Sequence, residues 1–415
     1  MMKNIKNSIT VLTLFFSLFA PAAVSQAAEE SPLTGTWGGV RTKLEDKGAL
    51  LKGTYTGDYI ADRSGGLRRK RAFVGAVDLS LTLDAEKMLG WKGTTLYLYG
   101  FGNNGGAPSR DNVGDAQGVS FYETGRYMWT INDASIEKKL FNDRVSVLGG
   151  LYDLSNDFDL VDCARLFLNS SYFVNPTISS SGVNGASIYP ATSYGGRIRV
   201  QPIDGFTIQT AVLDGIPGKP VFGKSDGLLL ATELSLLAGS EENSTTLYGK
   251  YAVGYWQYTA WFDDIADVDD DGNAVRRSGS SGFYGLIEKA LYHEKENPDA
   301  GLAFFLRLGS CDPNTNQYDP YMSGGLVYTG LVKGRPGDKL GLAFASVSNS
   351  AKYRQSMSAA GTPVDTTEKN LELTYLARIT PWLAIQPDFQ FVINPGMDIA
   401  VKNAVVVGSR FAVSF

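Results

Sequence analysis

The sequence predicts an all-β chain, a transmembrane antiparallel β-barrel of sixteen strands. Three observations lead there. Apolar and polar residues alternate with period 2 through much of the chain, as in strands with one dry and one wet face. The connections between these segments are short and long by turns. After the N-terminus, no stretch reaches the roughly 18 apolar residues that a spanning helix needs.

The last segment, Asn403 to Phe415, states the pattern most clearly. Val405, Val407, Ser409, Phe411, Val413 and Phe415 fall on one side; Val406, Gly408, Arg410, Ala412 and Ser414 fall on the other. A strand that ends on Phe and carries Arg on its less apolar face suits a wall between lipid and water. Pairing it with the first strand closes the cylinder and leaves no backbone edge open to hydrocarbon. An ordinary edge strand of a soluble sheet is the plainer alternative for this segment alone.

The chain opens with Lys3 and Lys6, an apolar run Ile9 to Ala20 and small residues up to Ala27 and Ala28, the layout of a secretory signal peptide over 1–27. A periplasmic N-terminal segment, 28–52, follows. Within it Thr36 is placed to cap a short helix over Arg41 to Lys47, and Gly48 to stop it. The barrel then occupies 53–415. Its strands are expected at 53–62, 71–84, 93–102, 129–140, 144–153, 194–201, 205–213, 228–237, 245–261, 282–291, 301–310, 321–331, 338–348, 370–379, 382–393 and 403–415. In Val77 to Asp84 the odd positions are apolar and the even ones polar; from Asn370 to Ile379, Leu371, Leu373, Tyr375, Ala377 and Ile379 oppose Glu372, Thr374 and Arg378.

Tight turns at Leu140 to Asp143, Pro202 to Gly205 and Thr380 to Trp382 alternate with long connections at 103–125, 154–193, 214–227, 262–281, 311–320, 349–369 and 394–402. Outer-membrane barrels keep short turns on the periplasmic rim and long loops outside. A soluble sandwich has no reason for this alternation, and no repeat of about 40–50 residues marks a propeller.

Composition narrows the function. Without Lys3 and Lys6 the chain has 36 basic against 43 acidic residues, which disfavours nucleic acid as a partner. His293 is the sole histidine, so His-based triads and zinc sites are excluded, and no cofactor is expected. Cys163 and Cys311 are the only cysteines; a disulfide between them is one reading and two free thiols the other.

The opening Trp37-Gly38-Gly39-Val40-Arg41-Thr42-Lys43-Leu44 resembles that of the carbohydrate-selective porin family of Gram-negative outer membranes. The closing Gln386 to Gly396 is similar to its last hairpin, and Phe305 to Gly309, Gly325 to Leu331 and Arg335 to Asp338 also fit its pattern. The resemblance spans nearly the whole mature chain. It implies a sixteen-stranded channel that passes monosaccharides by diffusion through an eyelet of arginines opposed by acidic and aromatic side chains. It also implies that the third long loop folds into the lumen. That loop commonly carries a cysteine pair in the family; here it holds Cys163 alone.

Three constellations are candidates for the eyelet. In the long loop, Asp153, Asp157, Asp159, Asp162 and Arg165 alternate with Phe158, Phe167, Tyr172 and Phe173. Arg197 and Arg199 flank Ile198 and should both point inward, as should Arg307, Arg378 and Arg410; Arg71 stands just at the start of its strand. Guanidinium groups suit sugar hydroxyls through their fixed planar donors, although arginines laddered with carboxylates would equally stiffen the wall. Tyr97 and Tyr99, with Phe101, share a parity that suits the lumen, whereas Tyr251, Tyr255, Trp256, Tyr258 and Trp261 suit an interfacial girdle. An acidic run with Asp267, Asp269 and Asp271 looks like the front of a calcium loop, yet Ser278 stands where a closing Glu belongs.

The chain therefore reads as a passive channel for mono- and small oligosaccharides, not an enzyme. Outer-membrane lipid and, through the terminal Phe415, the barrel assembly machinery are its expected partners, and monomer and homotrimer both fit. A general or anion-preferring porin is the nearest rival.

Overall fold

The computed structural model describes residues 32–415 apart from 126, 220–222, 224, 225, 240–246, 296 and 298, so the expected signal peptide lies outside the described residues. The strands are β1 (Ala49–Gly66), β2 (Arg71–Asp84), β3 (Thr94–Gly105), β4 (Met128–Leu140), β5 (Val145–Tyr152) and β6 (Ser193–Ile203). They continue with β7 (Phe206–Asp214), β8 (Leu228–Ala238), β9 (Gly249–Val268), β10 (Ala274–His293) and β11 (Gly301–Cys311). The remainder are β12 (Tyr318–Thr329), β13 (Lys339–Asn349), β14 (Thr367–Thr380), β15 (Leu383–Ile393) and β16 (Lys402–Ser414). Each is antiparallel to its sequence neighbours, and β16 pairs with β1 to close the sixteen-stranded barrel.

Two environments sort the side chains. In β16, Ala404, Val406, Arg410, Ala412 and Ser414 are buried, whereas Val407 stands outward and exposed. The same split separates buried Glu372 and Thr374 from exposed Leu371 and Leu373 in β14. The outward belt is the lipid face, and the inward set meets water and loop. Trp256 and Tyr258 lie on the inward parity of β9 and are buried, so they are not girdle residues; Tyr251, Tyr255 and Trp261 face out.

The seam is locked on both faces. Asp58 and Arg410 lie directly opposite in the β1–β16 register. The Arg410 Nε and Nη2 donate to the two Asp58 carboxylate oxygens, each at 2.7 Å. Outside, the Phe411 ring lies over Gly57 and against Tyr55 and Phe73, at centroid separations of 5.8 and 6.3 Å. A Cβ at Gly57 would collide with that ring, so the close approach needs glycine there. Phe415 ends the seam, its N–H donating to the Gly53 carbonyl at 2.9 Å.

Three expectations change. The barrel begins at Ala49 rather than residue 53, because Gly48, at φ +95°, turns the chain straight from helix α1 (Val40–Asp46) into β1. Thr36 does not cap that helix: a 3-10 turn, Trp37–Gly39, intervenes, and left-handed Gly39 occupies the cap position. The stretch 262–281 is not a long loop, since β9 and β10 run on as a hairpin whose turn is only 269–273. Its polar residues pair with each other above the lipid, for example Arg276 with Asp263 at 2.7 Å and Arg277 with Asp264 at 2.8 Å.

Removing one partner of the buried seam pair strands the other, at a cost of about 3–5 kcal/mol. Arg410→Ala should therefore lower the temperature at which the folded, fast-migrating gel band converts to the unfolded one, with Arg410→Lys falling between. An unchanged conversion temperature in the alanine variant would show that the pair does not hold the seam.

Candidate functional site

Loops with no ladder of their own leave backbone N–H groups in need of acceptors. Here the wall supplies them. Inward parity aims Glu233 of β8, Glu288 of β10, and Glu368 and Glu372 of β14 at two loops, 106–127 and 153–192. Glu372 accepts from the N–H groups of Leu168 and Asn169 at 2.6 and 3.1 Å, and Glu288 from those of Asp162 and Cys163 at 2.9 and 2.8 Å. Glu368 takes Ala116 and Gln117 at 2.7 and 3.1 Å, and Glu233 takes Asp159 at 3.0 Å. A carboxylate suits this task because its two oxygens accept charge-assisted bonds from adjacent donors.

Arginines work from the other direction. Arg307 of β11 donates to the carbonyls of Asp159 and Tyr172 at 2.6 and 3.0 Å, and its Nε lies 3.1 Å from the Asp159 carboxylate. Arg197 of β6 bonds Glu137 at 2.7 Å and the Ser146 hydroxyl at 3.1 Å, with Asp157 3.0 Å from its Nε. Arg199, two residues on, donates to Gln209 at 3.0 Å and pairs with the same Asp157, which also accepts from Tyr152. The Arg197 side chain has no exposed surface, but Arg199 keeps 28% of its own. Asp153 is consumed locally, accepting from Ser155, Asn132 and the Tyr189 N–H.

The remaining candidates divide. Tyr97 and Tyr99 take the inward parity of β3, and Tyr99 donates to Asp78. Arg165 is buried in the loop with its guanidinium 4.8 Å from the Phe173 ring centre, and Arg410 belongs to the seam. Arg378 stands on inward parity at the short-turn end of β14, where its stem closes over Gly337. Arg71 is a correction: it shares the outward parity of Phe73 and Leu79, is exposed, and donates to the outward Tyr59 hydroxyl at 3.4 Å. The disulfide is another. Cys163 and Cys311 are both free, the first bonded through its N–H to Glu288 and the second through its thiol to the Tyr318 carbonyl at 3.1 Å. Nor do the acidic-run carboxylates converge as cation ligands: Asp267 pairs with Arg277 and Lys352, while Asp269 accepts from the N–H groups of Asp271 and Asn273.

Loop 106–127 was not among the candidates. Its Ser120 hydroxyl donates to Asp58 at 2.6 Å, its Val119 carbonyl accepts from Gln390 at 2.9 Å, and its Phe121 N–H donates to Leu168 of the other loop at 2.9 Å. The Phe121 ring meets Phe173 and Tyr189, with ring centres 4.0 and 4.8 Å away, and Tyr189 in turn meets Phe101 of β3 at 4.4 Å. These ring contacts brace the loops to the wall. The only sequence signal for them was the Phe121-Tyr122 pair within an otherwise polar stretch.

Glu372→Leu would orphan two buried N–H groups, at about 1–3 kcal/mol each. Single-channel recordings of that variant should show a noisier open level and a larger mean conductance than the parent. Identical traces would mean that the loops hold their place without the carboxylate.

The sequence and the fold have known counterparts. A model of the carbohydrate-selective porin family, described as OprB, matches residues 69–415. Porin B of Pseudomonas aeruginosa is 27% identical over 95% of this chain and 94% of its own length. The putative porin QuiX of Acinetobacter baylyi is 23% identical over 92% of this chain and 93% of its own. The structure of Pseudomonas putida OprB at high pH superposes with a TM-score of 0.83 at 24% identity, over 94% of this chain and 99% of that one.

Proposed function

Because the chain belongs to the carbohydrate-selective porin family and forms a closed channel barrel of the Gram-negative outer membrane, we propose that it passes monosaccharides by passive diffusion through an arginine-bearing constriction. In this reading loop 153–192 folds into the lumen with 106–127 beside it, and together they narrow the passage. One observation carries it: the loop backbone is bonded to inward carboxylates on separate parts of the wall, β8 and β10 on one side and β14 on the other.

Arg199 is the arginine that meets the solute. Where Arg197, Arg307 and Arg410 are almost wholly buried, it combines partial exposure with a fixed orientation, its Nε on Gln209 and one Nη on Asp157. Its remaining donors replace part of a sugar's hydration as it passes, and binding has to stay weak or flux stops. Arg197, Arg307 and Arg410 frame the passage, and Tyr97 and Asp157 lie beside it. The C-terminal Phe415 serves recognition by the assembly machinery before the seam closes, after which it packs on β1.

Liposome swelling with sugars of graded size tests the assignment. Arg199→Ala should reduce the preference for monosaccharides over equally sized polyols several-fold and move ion preference toward cations, with the size cut-off kept. Arg307→Ala, which unpins the loop, should instead raise the cut-off. If Arg199→Ala leaves sugar rank order and reversal potential where they were, Arg199 is not the residue that meets the solute; a parent channel that shows no sugar preference at all is a general porin.

A further inference from the structure

At the short-turn rim, the Trp37–Gly39 turn exposes Trp37, and α1 exposes Val40 and Leu44, four residues apart on one face of the helix. Beside them, helix α2 (Ala85–Leu89) and the residues after it expose Met88, Leu89 and Trp91. The two pieces are joined, since the Asp84 N–H donates to the Gly48 carbonyl at 2.7 Å and a Cβ at Gly48 would lie 3.0 Å from the Lys87 Cβ. Arg41 fixes the orientation: its guanidinium sits 5.2 Å from the Trp37 ring centre and donates to the Leu51 carbonyl of β1 at 3.0 Å.

We propose that α1 and α2 lie in the headgroup layer of the periplasmic leaflet and bind the phospholipid surface, anchoring β1 where it meets β16. Chemistry and position both favour lipid as the occupant. Exposed lysines, Lys43, Lys47, Lys87 and Lys92, interspersed with exposed Asp46 and Glu86, accompany the apolar residues, and tryptophan beside charged side chains of both signs suits the headgroup layer. Other turns of the same rim expose Phe141, Ile203, Tyr292 and Leu331, so the patch continues a girdle that already runs around the barrel. Outward Leu51, also exposed, connects it to the lipid-facing wall.

Tryptophan quenching reads the placement directly. The intact protein and a Trp37→Phe variant are reconstituted in vesicles of phosphatidylethanolamine and phosphatidylglycerol, with acyl chains brominated near the headgroup in one set. The fluorescence component lost on substitution should be quenched by the brominated lipid and shielded from aqueous iodide. A component quenched by iodide and indifferent to bromine overturns the proposal. So does one shielded from both with a crosslinkable second copy, which would make the face a subunit contact. A Val40→Ser, Leu44→Ser variant should weaken adhesion of the rim to lipid, seen as loss of the bromine-quenched component, with single-channel conductance unchanged. A raised conductance would place α1 beneath the channel mouth instead and also overturn the proposal.

Discussion

Hydrocarbon offers no hydrogen-bond partner, so a spanning sheet cannot keep a free edge. Closure between β1 and β16 is therefore the condition on which the rest of the molecule stands. It brings together residues from opposite ends of the chain and places Asp58 against Arg410 across 352 positions of sequence. Such a contact carries a large loop-closure entropy, offset only when the strands between have already paired with their neighbours. Once closure is made, parity is settled all round the wall, because a one-residue slip would turn every apolar side chain inward.

A wet interior then permits charges that lipid would reject, but most of them are not offered to a solute. Glu233, Glu288, Glu368 and Glu372 hold loop backbone, and Arg197 and Arg307 hold carboxylates and carbonyls. A bidentate donor or acceptor committed in this way stiffens the lumen and contributes little to transient binding. Number of arginines is thus a poor guide to which of them could meet a solute: Arg197 and Arg307 are fully committed and buried, whereas Arg199 keeps part of its surface exposed.

Much of this was legible from period 2 alone. Strand β2 was expected at its observed bounds, and the inward parity of Arg197, Arg307 and Arg410 follows from their apolar neighbours. Arg71 misled because it opens its strand, where no preceding residue sets the phase. The upper β9–β10 hairpin resembles loop in the sequence because strands above the lipid lose the apolar half of the alternation and keep Asp263, Asp264, Arg276 and Arg277. The loop anchors were out of reach for a different reason. Glu372 meets Leu168 across 204 residues and Glu368 meets Ala116 across 252, and no local pattern encodes which backbone N–H a wall carboxylate will find.

The seam and the loops are not independent devices. Asp58 accepts from Arg410 and from Ser120 of loop 106–127, and the Tyr122 ring of that loop lies 4.9 Å from the Arg410 guanidinium. The residue that completes closure is thus also a foothold for the loop, which reaches Leu168 of the second loop through Phe121. Docking of the loops covers the seam pair and removes it from water, which strengthens the Coulomb attraction while making the loss of either partner more costly. Closure and loop position are in this way linked through one carboxylate, and the link is physical contact rather than proximity in sequence.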